Sequence, residues 1–260
     1  MEYYILTINL KFGIISLSII IIEVGIMVFK RGFTLAEVLI TLGIIGVVAA
    51  MTIPTLISKI GKRQLESQIK ASYATIAQTM RSAEADGVDF DLQIRDGSVD
   101  GMKEWFQTYM APYLKTEKAC YNSPGCWHKK GETKDLQGNL SPWDTANGLG
   151  YDIITFVIAK GAYFDIDGHS PYAMKNLFGI NTDNQGLIFY FDANGDRKPN
   201  RIGKDIYIMG FTDKGLVPAG SDKTRSEVEQ NCLKGNGYWC LSYIMQNGWQ
   251  ISDEVWKRKR

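Results

Sequence analysis

The sequence predicts an α+β fold in which one long N-terminal helix packs on a C-terminal head with an antiparallel β-sheet. Three observations lead to this prediction. An apolar run covers residues 33–57, an amphipathic helical pattern continues from it, and strand-like segments fill much of the second half of the chain. The chain has 260 residues, of which 45% are apolar and 22% charged, a composition typical of globular proteins. Its formal net charge of +1 gives no strong overall field that would attract nucleic acid.

The apolar run of residues 33–57 is long enough to cross a membrane. At about 1.5 Å per residue, a helix of this length spans a hydrocarbon core of about 30 Å with some tilt. Glu37 is the one charged residue between Arg31 and Lys59. Because a carboxylate inside a membrane costs roughly 2.5–3.5 kcal/mol on insertion scales, we interpret Glu37 as a functional residue. A free α-amino group on Phe33, four residues away, would relieve this cost.

The segment KRGFTLAEVLITLGIIGVVAAMTIP resembles the N-terminal signature of type IV pilins and type II secretion pseudopilins. In that signature a basic leader ends in Gly, and Phe-Thr-Leu-x-Glu and an apolar helix follow. The resemblance implies that a prepilin peptidase cleaves between Gly32 and Phe33 and N-methylates Phe33. It also implies that Glu37 pairs with the Phe33 amine of a neighbouring subunit during assembly. The alternative is a plain single-pass anchor that carries a glutamate by chance.

Pro54 lies inside the helical pattern, where it removes one backbone hydrogen bond. In the pilin family a proline at this point marks where the helix bends or melts in the filament, and the resemblance implies that role for Pro54. A simple helix kink is the alternative.

Residues 1–32 are predicted to be a leader. Met27 would begin a six-residue leader, MVFKRG, of the length typical of the family, which makes residues 1–26 an over-extended gene start. The alternative is a long leader whose own apolar run, residues 12–29, enters the membrane and is later discarded. Either leader gives a mature chain of residues 33–260.

The helix is predicted to continue past the membrane as an amphipathic segment over residues 58–86. Six apolar side chains repeat every three or four residues on one face: Leu65, Ile69, Tyr73, Ile76, Met80 and Ala83. Asp86 and Gly87 indicate its end. A second apolar pattern between Met102 and Leu114 predicts a shorter amphipathic helix.

Residues 87–260 are predicted to form a globular α+β head. Four segments are rich in β-branched and aromatic residues and are bounded by Gly, Asp or Asn, which predicts strands: YDIITFVIA, AYFDID, GLIFYFDANG and DIYIMGF. A long helix followed by such a sheet is also the fold that the pilin resemblance implies.

The four cysteines form two closely spaced pairs in the head. Cys120 and Cys126 flank YNSPG, and Cys232 and Cys240 flank LKGNGYW, so a turn within each pair can bring its sulfur atoms together. Two local disulfides are the simplest pairing, although four cysteines allow three connectivities. Disulfides would place the head in an oxidising compartment. Zinc, with His128 as a ligand, is the alternative, but the cysteine spacings do not match common zinc sites.

The segment DANGDRKPNRIGKD presents hard oxygen atoms of the kind that bind Ca²⁺. The candidate ligands are Asp192, Asn194, Asp196 and Asp205. Some pseudopilins bind calcium in the head, so the resemblance adds to this hypothesis. The segment departs from an EF-hand loop at Arg197 and Gly203, however. Asn-Gly and Pro-Asn also form ordinary turns, and a structural turn is the alternative.

The sequence does not predict an enzyme. Asp165, Asp167 and His169 in DIDGHS could suggest an acid–base cluster, but no nucleophile, orienting partner or phosphate-binding loop accompanies them. We therefore expect an exposed turn there. The basic tail, residues 257–260, is predicted to be a solvated end, with a contact to nucleic acid as the minor alternative.

Together these features predict a structural subunit of a type IV pilus or type II secretion pseudopilus. The subunit would enter the inner membrane with its head outside the cytoplasm, be cut by prepilin peptidase, and be assembled with other pilin subunits by an inner-membrane platform. Glu37 argues against a tip pseudopilin, which in the family lacks this residue. The alternatives are an anchored binding domain that forms no fibre and a minor pilin of a DNA-uptake pilus.

Overall fold

The protein is described by a computed structural model that covers residues 33–92, 98–159 and 161–258. Two compact units divide between Met51 and Thr52. The first unit holds the start of helix α1, and the second holds the rest of that helix together with a six-stranded sheet. The predicted α+β class is confirmed. The predicted leader, including Gly32, lies outside the described residues.

Helix α1 (Leu35–Ala85) is a continuous helix that includes Pro54. In the second unit its buried residues are Leu65, Ile69, Ser72, Ile76, Thr79, Met80 and Ala83. This is the predicted stripe, except that Tyr73 is only half-buried and donates its hydroxyl to the carbonyl of Leu216 at 3.0 Å. The helix ends where Gly87 adopts a φ of +80°, which is a common way to satisfy the last carbonyls of a helix.

The sheet is a six-stranded antiparallel meander in which each strand pairs with the next along the chain. Its strands are β1 (Thr116–Tyr121), β2 (Ile154–Ile158), β3 (Tyr163–His169), β4 (Gly186–Asp192), β5 (Ile206–Thr212) and β6 (Gly215–Pro218). The four predicted segments correspond to β2 through β5. The edge strands β1 and β6 were not predicted, because β1 is mostly polar and β6 is only four residues long.

The sheet is the middle layer of the head. On one face, Phe156, Phe164 and Phe191 lie side by side on neighbouring strands, with ring centroids 5.1 and 5.7 Å apart. They share one hydrophobic core with the buried stripe of α1. A second core covers the other face and includes Phe178 and Tyr190. Because β4 and β5 are buried on both faces, their sequences are continuously apolar and do not alternate.

The second predicted helix is also present. Helix α2 (Val99–Trp105) begins after Ser98, whose side chain accepts a hydrogen bond from the N–H of Gly101, and it continues as a π-helix (Phe106–Met110). Four further short helices follow in the chain: α3 (Pro171–Asn176), α4 (Arg225–Lys234), α5 (Cys240–Gln246) and α6 (Asp253–Lys257).

Both disulfides of the structure are local. Cys120 bonds to Cys126 and closes the start of the long loop between β1 and β2, and Cys232 bonds to Cys240 and joins α4 to α5. These are the two pairings that the sequence favours. The zinc alternative does not fit the structure, since both sulfur atoms near His128 are bonded to each other.

Helix α6 holds the C-terminal segment against α1 within the second unit. Lys62 forms an ion pair with Asp253 at 2.7 Å, and the indole N–H of Trp256 donates to Ser58 Oγ at 2.8 Å. The N–H of Ile251 donates to the carboxylate of Glu66 at 2.9 Å. These contacts join residues more than 180 positions apart in the chain.

Lys204 fixes the end of α6 to the rest of the head. Its side chain is buried, and its ammonium donates to the carbonyls of Val255, Trp256 and Arg258 at 3.0, 2.8 and 2.8 Å. A cation at the C-terminal end of a helix satisfies carbonyls that have no partner inside the helix.

Candidate functional site

The residues that the N-terminal signature singles out lie at the start of α1. Phe33 is the first described residue and is 86% exposed. Thr34 donates from its backbone N–H and from its hydroxyl to Glu37 Oε2, both at 2.8 Å. In return, the N–H of Glu37 donates to Thr34 Oγ1 at 3.2 Å. This arrangement is a capping box, in which the two ends of the first turn satisfy each other's polar groups.

The capping box gives Glu37 a role inside its own chain, as a partner of Thr34 in capping α1, which the sequence analysis did not predict. The signal was present, because Thr-Leu-Ala-Glu fits the T-x-x-E pattern that starts many helices. Part of the cost of placing this carboxylate near a membrane is therefore met by Thr34 before any second subunit arrives. Glu37 also lies in the first turn, where the helix dipole favours a negative charge.

The first half of α1 exposes apolar side chains on all sides. From Leu35 to Val48 the large apolar residues are 40–78% exposed. Among the described residues, α1 is the one helix that is long and apolar enough to cross a membrane, and none of its apolar window is buried in the protein. An all-round apolar surface of this length requires lipid or other apolar helices around it.

A family model of the prokaryotic N-terminal methylation motif matches residues 27–53. The match includes the basic pair before Gly32, then Phe33, Glu37 and the apolar part of α1. This chain carries the type IV pilin and pseudopilin signature. The signature marks a pilin-like structural protein that a prepilin peptidase processes. Neither the curated proteins nor the solved structures compared with the chain match it.

Pro54 of this pilin-like chain lies one residue beyond the matched motif and remains inside the helix. The helix is assigned without a break on either side of it. A bend or melted segment at Pro54 in a filament stays a prediction.

Three of the four predicted calcium ligands come together at the end of β4. Asp192 and Asp205 are fully buried, and the side-chain amide of Asn194 donates to Asp205 Oδ2 at 3.2 Å. Asp196 lies apart from them, because it is exposed and accepts a hydrogen bond from the Tyr163 hydroxyl at 2.6 Å.

Asp192 is held by its own turn and by one histidine. Its Oδ1 accepts from the N–H groups of Asn194 and Gly195 at 2.9 and 3.0 Å. Its Oδ2 accepts from Nε2 of the buried His128 at 2.9 Å. Burial raises the pKa of Asp192, and the histidine opposes that rise.

Asp205 is held by the turn that precedes it. The N–H groups of Asn200 and Arg201 donate to its carboxylate at 3.0 and 2.6 Å. Burial raises the pKa of Asp205 to about 7, and the negative charge of Asp192 adds to the rise. Each oxygen of both carboxylates therefore accepts at least one hydrogen bond from the protein.

The donor set fits Ca²⁺ in part. The two carboxylates and the buried amide oxygens of Asn194 and Asn200, which have no hydrogen-bond partner, are oxygens of the type that Ca²⁺ prefers. Against this, the described residues contain no group of three or more His, Cys, Asp or Glu arranged to hold a metal. The hydrogen bonds of the turn also account for both carboxylates without an ion. Calcium binding therefore stays a prediction.

The interpretation of DIDGHS as an exposed turn was wrong. Asp165, Asp167 and His169 lie on strand β3, and Asp165 is completely buried. Thr155, Asp165 and Tyr190 are direct cross-strand neighbours on three adjacent strands. Within the described chain, each of these three has a buried polar side-chain atom without a hydrogen-bond partner. They form a polar row inside the second core of the head.

The loop before β2 explains why this row is buried. The N–H of Leu149 donates to Asp165 Oδ2 at 2.6 Å. A Cβ atom at Gly148 would stand 2.1 Å from that same oxygen, and one at Gly150 would stand 2.5 Å from Asp167 Oδ2. Only glycine at these two positions lets the backbone approach the carboxylates so closely. The covering loop, which the sequence did not reveal, turns a polar segment into buried structure.

Burial also shifts the pKa values of Asp165, Asp167 and His169 in the directions that favour their neutral forms. It raises the pKa of Asp165 well above its usual range and that of Asp167 to about 7, where the charge of Asp152 contributes. It lowers the pKa of His169 to about 4. His169 Nε2 lies 3.6 Å from Asp167 Oδ2, too far for a strong hydrogen bond.

The basic tail is only partly a solvated end. Lys257 is exposed, but the guanidinium of Arg258 donates to the carbonyls of Cys232 and Gly235 at 2.8 and 3.1 Å. The remaining tail, residues 259–260, lies outside the described residues.

The raised pKa of Asp167 predicts a pH-dependent stability. Folding makes the Asp167 carboxyl bind its proton more tightly. The protonated carboxyl therefore adds to the free energy of unfolding in full below about pH 4, and this addition is lost as the pH rises through about 7. Asp167→Asn should therefore flatten the fall in unfolding free energy between pH 4 and 8, by about 4 kcal/mol at most. Denaturant titrations of the full chain in detergent measure this. The exposed Asp222→Asn variant is the control, and equal pH profiles for wild type and Asp167→Asn would contradict the assignment.

A calcium titration tests the turn at the end of β4. Ca²⁺ held by Asp192 and Asp205 should raise the Tm of the full chain in detergent, and Asp205→Asn should remove that rise. Asp196→Asn should leave the rise in Tm unchanged, because Asp196 accepts a hydrogen bond from Tyr163 and lies apart from the buried carboxylates. A Tm that does not respond to Ca²⁺ would leave the turn with a structural role alone.

Proposed function

We propose that this chain is a filament subunit of a type IV pilus or a type II secretion pseudopilus. The observation that carries the proposal is the matched methylation motif on a helix whose apolar half is uncovered by its own chain. Lipid would cover this surface before assembly, and the equivalent helices of neighbouring subunits would cover it in the filament. The second half of α1 would then attach the head to the fibre through the core that it shares with the sheet.

Cleavage before Phe33 would create a positive charge next to the N-terminal end of a helix. The helix dipole disfavours a cation at that end, so the new amine needs a negative partner. Glu37 of a neighbouring subunit supplies a carboxylate at the matching depth. The two bonds from Thr34 both use Oε2, and a carboxylate has about four acceptor positions. Glu37 can therefore accept the amine of a second subunit and keep its own cap.

The two disulfides support a head that lies outside the cytoplasm. Bonds of this kind persist in oxidising compartments and are rare in the cytosol. Prepilin peptidase would act on the opposite side of the membrane, next to the basic pair before Gly32, and an inner-membrane platform would then extract the processed subunit into the growing filament.

Analysis of the mature N-terminus tests the processing step. We expect intact-mass measurement and N-terminal sequencing of the protein from a host with prepilin peptidase to give a chain that begins with N-methyl-Phe33. Recovery of the protein with its upstream segment still attached, in that host, would contradict the proposal.

Two matched variants separate assembly from helix capping. Glu37→Gln keeps the oxygen that caps the helix and removes the charge, so filament assembly should be lost while cleavage and membrane insertion remain. Thr34→Ala removes the cap at a cost of about 0.5–2 kcal/mol but keeps the carboxylate, and filaments should still form. Electron microscopy and sheared-fibre yield measure the outcome. Normal filaments from Glu37→Gln would instead indicate an anchored domain that does not depend on this charge.

A further inference from the structure

The part of the head next to the apolar run has an unusual surface. In the second unit, α1 begins with exposed apolar side chains, and these are 51–64% exposed: Ile53, Leu56, Ile57 and Ile60. Basic residues gather immediately beside them. We define the basic collar as six of these residues: Lys59, Lys62, Arg63, Arg197, Lys198 and Lys257.

Two grooves lie along α1 at the collar, and Trp256 lines both of them. The first has a volume of about 740 Å³, and Ile53, Ile57, Arg197 and Lys257 are among the residues that line it. The second has a volume of about 700 Å³ and contains Lys59 and Arg63. The first groove therefore combines apolar and cationic residues, and the second is lined mainly by charged and polar residues.

Trp256 marks the boundary between these two kinds of surface. Its indole N–H donates to Ser58, and its ring lies over Gly61, where an added Cβ would meet the ring at 3.8 Å. A partly exposed tryptophan between apolar and basic residues is typical of the zone where a protein meets lipid headgroups.

Much of the positive charge of the collar is not neutralised within the chain. Lys198 pairs with Glu132 at 3.0 Å and Lys62 with Asp253, but among the described residues the other four collar cations form no ion pair. Eight basic and three acidic residues line the two grooves. Of the three acidic residues, Asp253 pairs with Lys62, Glu66 accepts the N–H of Ile251, and Asp205 is buried in its turn. Because the formal charge of the whole chain is only +1, this excess of positive charge is a local property of the basic collar.

We propose that the basic collar binds the phosphate headgroups of anionic lipids in the leaflet that faces the head. A lipid matches the first groove, since its phosphate can meet Arg197 while its acyl chains lie against Ile53 and Ile57. Arg63 in the second groove adds a further cation for headgroup phosphates. A free phosphate ion lacks the apolar half. An acidic protein surface would leave these apolar residues in contact with water.

Lipid binding would hold the head at the membrane surface before the subunit enters a filament. Each collar residue that contacts an anionic surface raises lipid affinity roughly fivefold, so the collar forms a strong but salt-sensitive attachment. The inference requires that α1 spans a membrane and does not require that the chain forms a fibre, so either can fail without the other.

The test uses the full chain in detergent, titrated with a phosphatidylglycerol, with a phosphatidylcholine of the same chain length, and with inorganic phosphate. Native mass spectrometry counts the bound molecules. We expect phosphatidylglycerol to bind at least about a hundredfold more tightly than phosphatidylcholine, and the triple variant Arg63→Gln, Arg197→Gln, Lys257→Gln to lose most of that preference. The described structure shows no hydrogen bond from these three side chains, so their replacement should not unfold the head.

The control variant is Arg81→Gln, Lys175→Gln, Lys214→Gln, which removes three exposed charges that line neither groove. It should bind phosphatidylglycerol as the wild type does. Equal affinity for both lipids, equal losses in the two variants, or binding of inorganic phosphate as strong as that of phosphatidylglycerol would overturn the proposal. A collar variant that keeps its lipid preference but no longer forms filaments would show that the collar contacts protein.

Discussion

Helix α1 must satisfy two different surroundings, and the rest of the structure follows from that constraint. Its first half exposes apolar side chains on every side, whereas its second half buries one stripe from Leu65 to Ala83. The stripe and the row of Phe156, Phe164 and Phe191 belong to the same core. A head built on this core cannot form without the helix, and the helix cannot remain in water without lipid or neighbouring helices around its first half.

The capping box changes how the pattern Phe-Thr-Leu-x-Glu is understood in this chain. A lone carboxylate in an apolar run invites an explanation that depends entirely on a partner. Here Thr34 donates two hydrogen bonds to Glu37 within the same chain, which favours one orientation of the carboxylate. An oriented carboxylate loses less conformational freedom when a second charge arrives, which favours specific pairing. The cap is therefore compatible with the proposed contact between Glu37 and a second chain.

The parts of the fold that the sequence revealed are those with strong periodic patterns. The stripe of α1 and the four apolar strands were predictable, because burial requires a repeat of 3.6 or 2 residues or a continuous apolar run. Strand β1 was not, since it lies at the edge of the sheet and buries only Cys120. Helix α4 was not predicted because it buries only Val228 and Cys232, although the sequence contains the capping-box pattern that begins at Thr224. The segment DIDGHS on β3 was predicted wrongly, because the loop that covers it has no sequence pattern that indicates such a cover.

The contacts of α6 also determine the order in which parts of the head can form during synthesis. Lys62 meets Asp253, 191 positions later in the sequence, and Ser58 meets Trp256. At about 5–20 residues per second, a ribosome needs roughly 10–40 s to add the intervening residues. Throughout that interval the apolar start of α1 can already be in the membrane, while Ser58 and Lys62 still lack their partners from α6. Helix α6 thus completes a surface of α1 whose residues were synthesised more than 190 positions earlier.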